Sequence, residues 1–320
     1  MGVSQVKPTY NLMRVRWRKG RLYPYPRSRR KMKREYFLNY VYLLPALIFV
    51  GAFLLYPVAR TVYISFTNWD GLTTPSFVGV SNYSRLARDP IFIQSLLNTG
   101  IWVLATLLLP VGIGLLVASI SSKKPGEVVF KWIFYLPYAF SLTTTGVLWS
   151  FLLNPAQIGG TFNAILEVVG LGVYTKRWLY EPPWNTYAMI AAYTWQTMGT
   201  NMILFLVGLQ NIPQEPVEAA QIDGATGWQT YRYVIWPLLQ PIATVVILMA
   251  LINSFKVFDV IWVMTQGGPF RSSETLAVTM YRESFTMFQM GYGAAIAIVL
   301  TVFELLLAWI YLRRTFQQEL

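Results

Sequence analysis

Long runs without a charged side chain dominate the hydropathy pattern of this chain. Six such runs contain at least 20 residues: 36–59, 91–122, 132–166, 182–214, 233–255 and 284–303. About 20 predominantly apolar residues are enough for a helix to cross a bilayer. The pattern therefore predicts an all-α membrane protein with six transmembrane helices. Their predicted ranges are 37–65, 91–121, 129–153, 185–210, 238–263 and 289–313.

The composition supports this class and excludes others. Only 12% of the residues are charged and 55% are hydrophobic, whereas soluble domains are about 25% charged. The chain has no His and no Cys, which removes the usual proton shuttle, thiol nucleophile and metal ligands. No GxxxxGK[ST] phosphate loop occurs in it. We therefore expect no catalytic residue, no metal site and no directly bound cofactor, and a membrane enzyme is disfavoured.

The distribution of Lys and Arg predicts the orientation. Residues 1–36 carry twelve of the 26 basic residues, and the connections and tail on the same side bring that side to 18. The opposite loops, 66–90, 154–184 and 264–288, carry six. Because basic residues accumulate in the cytoplasm, both termini and the 211–237 connection are predicted to be cytoplasmic.

The basic residues also divide the chain into regions. Residues 1–36 are predicted to form a basic cytoplasmic leader without regular structure, 37–314 the six-span domain, and 315–320 a short cytoplasmic tail. The net charge of +12 is concentrated in the leader. A polybasic run beside a membrane span is typical of contact with anionic lipid, so membrane lipid is the expected partner rather than nucleic acid.

The 211–237 connection has the pattern of a capped helical hairpin. It contains EAAQIDGATGWQTYRYVIWP, in which Glu218 is expected in the first turn of a short helix that ends at Gly224. Thr226 and Gln229 have capping-box spacing and predict a second helix, and the next span is expected to begin near Pro237. Small residues beside the acids indicate a face that another protein could approach closely. An ordinary interspan loop remains the alternative.

Polar residues inside the spans indicate a pathway, because such residues usually face a cavity or another helix. Tyr193, Gln196, Thr197 and Thr200 have the spacing of one helix face. Tyr138, Ser141 and Thr145 are expected to share a face of the third span, and Asn253 and Ser254 are adjacent in the fifth. Such side chains suit a sugar, but they also commonly hold spans together, so both readings stay open.

Besides Arg313 at the end of the sixth span, three charged residues lie within the fifth and sixth predicted spans. Lys256 and Asp259 are expected to pair on one face of the fifth helix, and an anion-binding role for Lys256 stays open as the lesser alternative. Glu304 is expected to face a partner subunit or pair with a cation.

The hairpin sequence resembles the cytoplasmic signature of binding-protein-dependent ABC importer permeases. Glu218, Ala219, Ala220, Gly224 and Pro237 are in register with that signature, while Val234 and Trp236 replace its Ile and Leu. The resemblance implies the type I ABC importer permease fold. It also implies that the hairpin is a coupling helix docked on a separate ATPase. The implied docking residues are Glu218, Ala219, Ala220, Asp223, Gly224, Ala225, Trp228 and Pro237.

Further segments, including LPYAF and FKVFDVIWVMTQGGP, resemble the carbohydrate branch related to the larger membrane subunit of the maltose importer. The resemblance implies a substrate pathway for a carbohydrate, expected to be an oligosaccharide. Ala250 stands where that branch has a hydrogen-bonding contact, which argues against maltose itself. The implied pathway residues are Tyr138, Ser141, Tyr193, Gln196, Thr197, Thr200, Asn253 and Ser254.

The resemblance also implies an assembly in the bacterial cytoplasmic (inner) membrane. Its other members are a second homologous permease, two ATPase subunits that hold ATP and Mg²⁺, and an external solute-binding protein. Two other functions remain open. One is an importer of glycerophosphate or acidic sugars from the same branch. The other is an ion-coupled secondary transporter, which would be expected to show inverted repeats and broken helices and would not need the coupling signature.

Overall fold

The computed structural model describes residues 15–18, 21–24, 42–122, 124–153 and 160–316. Most of the predicted leader, Lys123, and residues 317–320 of the predicted tail lie outside this set. The chain divides into two compact units, residues 1–60 and 61–320, and each is described separately.

The first unit contains a β-hairpin and the beginning of the first long helix. Strands β1 (Val15–Arg18) and β2 (Arg21–Pro24) are antiparallel, with Val15 opposite Pro24. The expectation of a leader without regular structure is wrong for these residues. The sequence of β1, VRWR, alternates apolar with basic residues, which is a strand pattern. Helix α1 (Tyr42–Ser65) is the first predicted span, and its last residues belong to the second unit.

The second unit begins with short elements that precede a long helix. Strands β3 (Thr67–Asn68) and β4 (Ser76–Phe77) pair antiparallel, and helix α2 covers Ser81–Leu86. Helix α3 (Pro90–Ser121) is the second predicted span. Its start has a clear cause: the Asp89 carboxylate accepts from the Ile91 backbone N–H, and Pro90 occupies the first turn.

The third predicted span is broken rather than straight. Helix α4 (Glu127–Tyr135) continues as a 3₁₀ turn (Leu136–Ala139), and helix α5 (Leu142–Leu153) follows at an angle of 97°. The expectation that Tyr138, Ser141 and Thr145 share a helix face is therefore wrong. Pro137 is at the start of the 3₁₀ turn, and it cannot donate a backbone hydrogen bond to continue the α-helix.

Helix α7 (Trp184–Gln210), the fourth predicted span, packs closely against its neighbours. It follows helix α6 (Gly160–Val168) and a 3₁₀ turn (Gly172–Tyr174). A Cβ on Gly199 would lie 2.0 Å from the Phe134 carbonyl oxygen, and one on Gly114 of α3 would lie 2.9 Å from the Met202 nitrogen. Two glycines thus allow α4 and α3 to approach α7 at backbone distance.

The second helix of the hairpin and the fifth span form one continuous helix. Helix α8 covers Gln214–Ile222, and helix α9 runs unbroken from Gly227 to Phe255. No new helix begins at Pro237, because the helix that starts at Gly227 continues through it. A π-helical segment (Tyr231–Ile235) precedes Pro237, and its i→i+5 bonding pattern accommodates the missing proline N–H.

The fifth span ends earlier than predicted. Helix α9 stops at Phe255, and a separate short helix, α10, covers Asp259–Met264. Helix α11 (Leu276–Tyr281) continues as a π-helical segment (Arg282–Thr286), and α12 covers Met290–Phe316. Trp102, Met189 and Ile261 are fully buried in the core where α3, α7 and α10 meet.

Four of the described helices are long and apolar enough to cross a membrane, and the bent pair α4–α5 makes up to five. The four are α1, α3, α9 and α12, the last of these over Met290–Arg313. Helix α7 is as long as these but carries more polar residues. The fold is therefore that of a multi-pass helical membrane protein.

Candidate functional site

A cavity of about 640 Å³ lies where the α4–α5 break, the middle of α7 and the end of α9 meet. It borders six of the eight residues predicted to line a pathway: Tyr138, Ser141, Tyr193, Gln196, Thr197 and Asn253. These residues come from three separate parts of the chain, and only the tertiary structure brings them together. A cavity of this size is in the range that holds a small organic ligand.

The break between α4 and α5 is held by hydrogen bonds from the cavity wall. The Gln196 side-chain amide donates to the Phe140 carbonyl oxygen at 3.1 Å. The Ser141 hydroxyl accepts from the Thr144 backbone N–H at 3.1 Å, so it caps the start of α5. Gln196 and Ser141 thus shape the cavity as well as border it.

Two predicted pathway residues do not border this cavity. The Ser254 side chain is buried and donates to the Leu251 carbonyl at 2.6 Å. The Thr200 hydroxyl is buried without a hydrogen-bond partner among the described residues. On α7, the Thr197 hydroxyl donates to the Tyr193 carbonyl at 2.8 Å, which leaves its oxygen able to accept.

Aromatic residues add apolar surface to the polar lining. Phe140 borders the cavity, is exposed, and stacks on Trp195 with ring centroids 6.4 Å apart. Tyr138 borders it beside Tyr135, whose ring lies at 5.4 Å. The sequence reading missed Phe140. Its signal was an aromatic residue three positions after Pro137, at the helix break.

The charged residues of the fifth span are not arranged as predicted. Because α9 ends at Phe255, Lys256 and Asp259 lie on either side of a break instead of on one helix face. The Lys256 ammonium lies 3.9 Å from a carboxylate oxygen of Glu304 on α12. The predicted Lys256–Asp259 pair is wrong, and Glu304 pairs with a cation of its own chain. Lys256 and Asp259 both border the cavity.

The hairpin shows both predicted features, a helix that ends at Gly224 and a capping box that begins the next helix at Thr226. Gly224 has a φ of +79°, its N–H donates to Gln221, and the Ala225 N–H donates to Ala220. This is a Schellman ending, which requires the left-handed conformation that glycine favours. Thr226 and Gln229 form the capping box, with reciprocal bonds of 3.3 and 2.7 Å.

One detail of the hairpin differs from the sequence expectation. Helix α8 begins at Gln214, so Glu215 is in its first turn and Glu218 is one turn further on. The expectation that Glu218 lies in the first turn is therefore wrong, because Pro216 lies inside that turn, where proline is tolerated, instead of before it. Glu218 remains exposed.

Apolar side chains are exposed on the hairpin among polar ones. Ile222 is 86% exposed and Trp228 is 71% exposed. Of the other predicted docking residues, Glu218, Ala219, Asp223, Gly224 and Pro237 are exposed, and Ala220 and Ala225 are partly exposed. Ile222 was missed by the sequence reading. Its signal was a branched apolar residue beside the stop of a short polar helix.

A buried ionic network organises the segment that follows α10. Glu274 is fully buried, and its carboxylate accepts from Arg271 at 2.8 and 2.9 Å, from Arg282 at 2.7 Å and from Thr279 at 2.8 Å. Arg271 also pairs with Glu283 at 3.0 Å. Burial lowers the pKa of Arg271, but the bonds from Glu274 and Glu283 raise it by more. This network holds a compact loop.

The chain matches known transport proteins over most of its length. Residues 110–313 match the family described as binding-protein-dependent transport system inner membrane component. A probable ABC transporter permease protein of Pyrococcus horikoshii is 38% identical over 293 residues, which cover 90% of this chain and 99% of the relative. The α-glucoside transport system permease protein of Rhizobium meliloti is 33% identical over 268 residues, covering 82% of this chain and 78% of the relative.

A solved structure shows the same fold. In the bacterial alginate ABC transporter, in complex with a periplasmic protein that carries an alginate pentasaccharide, one chain superposes with a TM-score of 0.76. The sequence identity is 23%, and the match covers 88% of this chain and 94% of that chain. The protein is thus a transport subunit rather than an enzyme, and it belongs to the family of binding-protein-dependent transport system inner membrane components.

Proposed function

We propose that this chain is one membrane-spanning half of an ATP-driven importer for a carbohydrate, with an oligosaccharide as the substrate. The observation that carries this proposal is the cavity, in which hydroxyl, amide and aromatic groups converge from three parts of the chain. Such groups match a sugar, whose hydroxyls form hydrogen bonds and whose C–H faces pack on rings. One relative is named for α-glucoside transport, and the solved structure is named as an alginate ABC transporter.

The proposed domain has six spans. Five crossings are α1, α3, the bent pair α4–α5, α9 and α12, and we assign the sixth to α7. Its 27 residues correspond to about 40 Å of helix, against the roughly 30 Å needed for a hydrocarbon core. Its polar side chains are compatible with a crossing because several of them, including Tyr193 and Gln196, border the cavity instead of lipid. The predicted divisions 1–36, 37–314 and 315–320 are kept.

We assign the hairpin 211–237 to docking of a separate ATPase on the cytoplasmic side. Two exposed apolar residues, Ile222 and Trp228, on a well-capped and otherwise polar hairpin support this role. Large exposed apolar side chains of this kind are typical anchors of protein interfaces. Glu218, Ala219, Asp223 and Gly224 lie on or next to the same short helix and remain the proposed contacts.

The proposed assembly contains a second homologous permease, two ATPase subunits that hold ATP and Mg²⁺, and an external solute-binding protein. The name of the alginate structure, a transporter bound to a periplasmic protein, supports the last of these by analogy. The basic asymmetry of the sequence supports cytoplasmic termini. The family membership argues against an ion-coupled secondary transporter.

The test is uptake into proteoliposomes that contain this chain with its partner subunits and its binding protein. A set of radiolabelled oligosaccharides is presented outside, with ATP and Mg²⁺ inside. We expect ATP-dependent accumulation of at least one oligosaccharide, which disappears when this chain is left out. The proposal would be refuted if the only solutes that accumulate with this binding protein are not carbohydrates.

A further inference from the structure

Lys256 borders the cavity, and its positive charge lies near the carboxylate of Glu304. Lys256 directly follows the last residue of α9, and its backbone N–H donates to the Asn253 carbonyl at 3.1 Å. Its side chain is 62% exposed and borders the cavity, yet its ammonium lies 3.9 Å from Glu304, which is only 19% exposed. This distance is too long for a hydrogen bond, but it is an ion pair.

A second carboxylate faces the same space. Asp259 begins α10, is exposed, and borders the cavity together with Lys256. In the described part of the chain, Asp259 has no ion-pair partner. Among the described residues, Lys256 and Asp259 are the charged side chains that border this cavity. One cation and two carboxylates, Asp259 and the Glu304 behind Lys256, therefore contribute a net charge of about −1 to this wall.

We infer that this wall selects neutral sugars and rejects anionic ones such as uronates; the inference rests on the proposed function and specifies its substrate class. An incoming carboxylate would meet Asp259, and the one cation of this wall, Lys256, already lies beside the carboxylate of Glu304, so the net repulsion between like charges opposes its entry. A neutral sugar instead donates its hydroxyls to the Asp259 carboxylate, which is an acceptor only. Glu304 acts as a positioning residue through Lys256.

The absence of cysteine from the chain allows the charge of the cavity to be measured directly. Ala139 borders the cavity, is exposed, and is close in size to cysteine. We would introduce Ala139→Cys and purify the full complex in detergent, where both faces are accessible. The rates of modification by an anionic and a cationic methanethiosulfonate reagent are then compared, each divided by its rate with free cysteine.

We expect the cationic reagent to react at least threefold faster than the anionic one at this position. Asp259→Asn and Glu304→Gln should each reduce the ratio, and the double variant should invert it. The matched control is Val173→Cys in the segment between α6 and α7, where the side chain is 93% exposed. Its ratio should not change with Glu304→Gln. Faster reaction of the anionic reagent at position 139 would overturn the inference.

Protection by sugars then connects charge to substrate. Maltotriose, as the neutral probe, should slow modification of Ala139→Cys, and trigalacturonate should not. With Asp259→Asn and Glu304→Gln combined, trigalacturonate should also protect, and the concentration that it needs to slow modification should be at least tenfold lower than in the otherwise unaltered protein. Equal protection by both sugars in the otherwise unaltered protein would overturn the inference. If neither sugar protects, the carbohydrate proposal fails for these probes, and the reagent ratio still decides the sign of the cavity charge.

Discussion

The side-chain amide of Gln196 donates a 3.1 Å hydrogen bond to the backbone carbonyl of Phe140, 56 residues earlier in the chain. The bond joins the middle of α7 to the break between α4 and α5. Helix-face spacing left open whether Gln196 lines a pathway or holds helices together, and this bond shows that it holds the cavity wall in place.

Gln196→Ala should lower both stability and transport. The change leaves the Phe140 carbonyl without this donor and removes an amide from the cavity, at a cost of about 1–3 kcal/mol. We expect a roughly fivefold or larger fall in sugar uptake and a lower melting temperature of the purified complex. Thr200→Ala, on the same helix with a hydroxyl outside the cavity, is the control and should leave uptake unchanged. Normal uptake by Gln196→Ala would remove this residue from the pathway.

Gly224→Val should disconnect the transporter from its ATPase. At a φ of +79° a β-branched side chain is strongly disfavoured, and a left-handed residue costs on the order of 1–2 kcal/mol or more. Among the described residues beyond its two chain neighbours, none has an atom within 4 Å of a Cβ built at Gly224, so the expected damage comes from the backbone conformation. We expect normal membrane insertion, loss of uptake, and loss of ATPase stimulation by the loaded binding protein.

Gly227→Ala is the matched control for that change. Gly227 has no positive φ, and a Cβ there also meets nothing within 4 Å. It should retain uptake, because alanine favours a helix start more than glycine does. Full activity of Gly224→Val would count against a functional role for this turn.

Ile222→Ser and Trp228→Ala should release ATPase subunits during purification. Both side chains are largely exposed, and loss of a central apolar anchor typically costs 2 kcal/mol or more, roughly a thirtyfold weaker affinity. The readout is the ratio of ATPase to permease after size-exclusion chromatography. Val173→Ser, equally apolar and 93% exposed, should leave the ratio unchanged. An unchanged ratio in both hairpin variants would exclude these residues as anchors.

Glu274→Gln should destabilise the protein far more than an exposed change of the same kind. The change removes the buried negative charge that the partly buried Arg271 and Arg282 contact at 2.7–2.9 Å. Breaking a buried ion pair costs about 3–5 kcal/mol. Glu167→Gln, at an exposed position, should stay within about 0.5 kcal/mol. Thermal unfolding of the two purified variants would decide, and equal melting temperatures would contradict the prediction.

The proposed orientation predicts opposite labelling of two exposed positions. Phe270 is fully exposed in the loop after α10, and Gln221 is exposed on α8. With no native cysteine in the chain, Phe270→Cys should react with a membrane-impermeant maleimide in intact cells. Gln221→Cys should react only after permeabilisation. Labelling of position 221 from outside would refute both the orientation and ATPase docking at the hairpin.

Local signals were sufficient for the hairpin and for most helices. The Gly224 ending and the Thr226–Gln229 capping box depend on residues within six positions of each other, so sequence spacing predicted them correctly. The long apolar runs likewise predicted α1, α3, α9 and α12, because hydrocarbon demands a long apolar helix whatever the rest of the chain does.

The tertiary structure decided where those helices break and what their breaks bring together. The bend after Ala139 is held by Gln196 from another helix, and Gly199 lets α7 approach the Phe134 carbonyl at backbone distance. The end of α9 at Phe255 places Lys256 beside Glu304 instead of pairing it with Asp259. Sequence periodicity describes one helix at a time, whereas these contacts join helices that are distant in the chain. A local signal such as Pro137 can mark where a helix breaks, but not which residues the break meets.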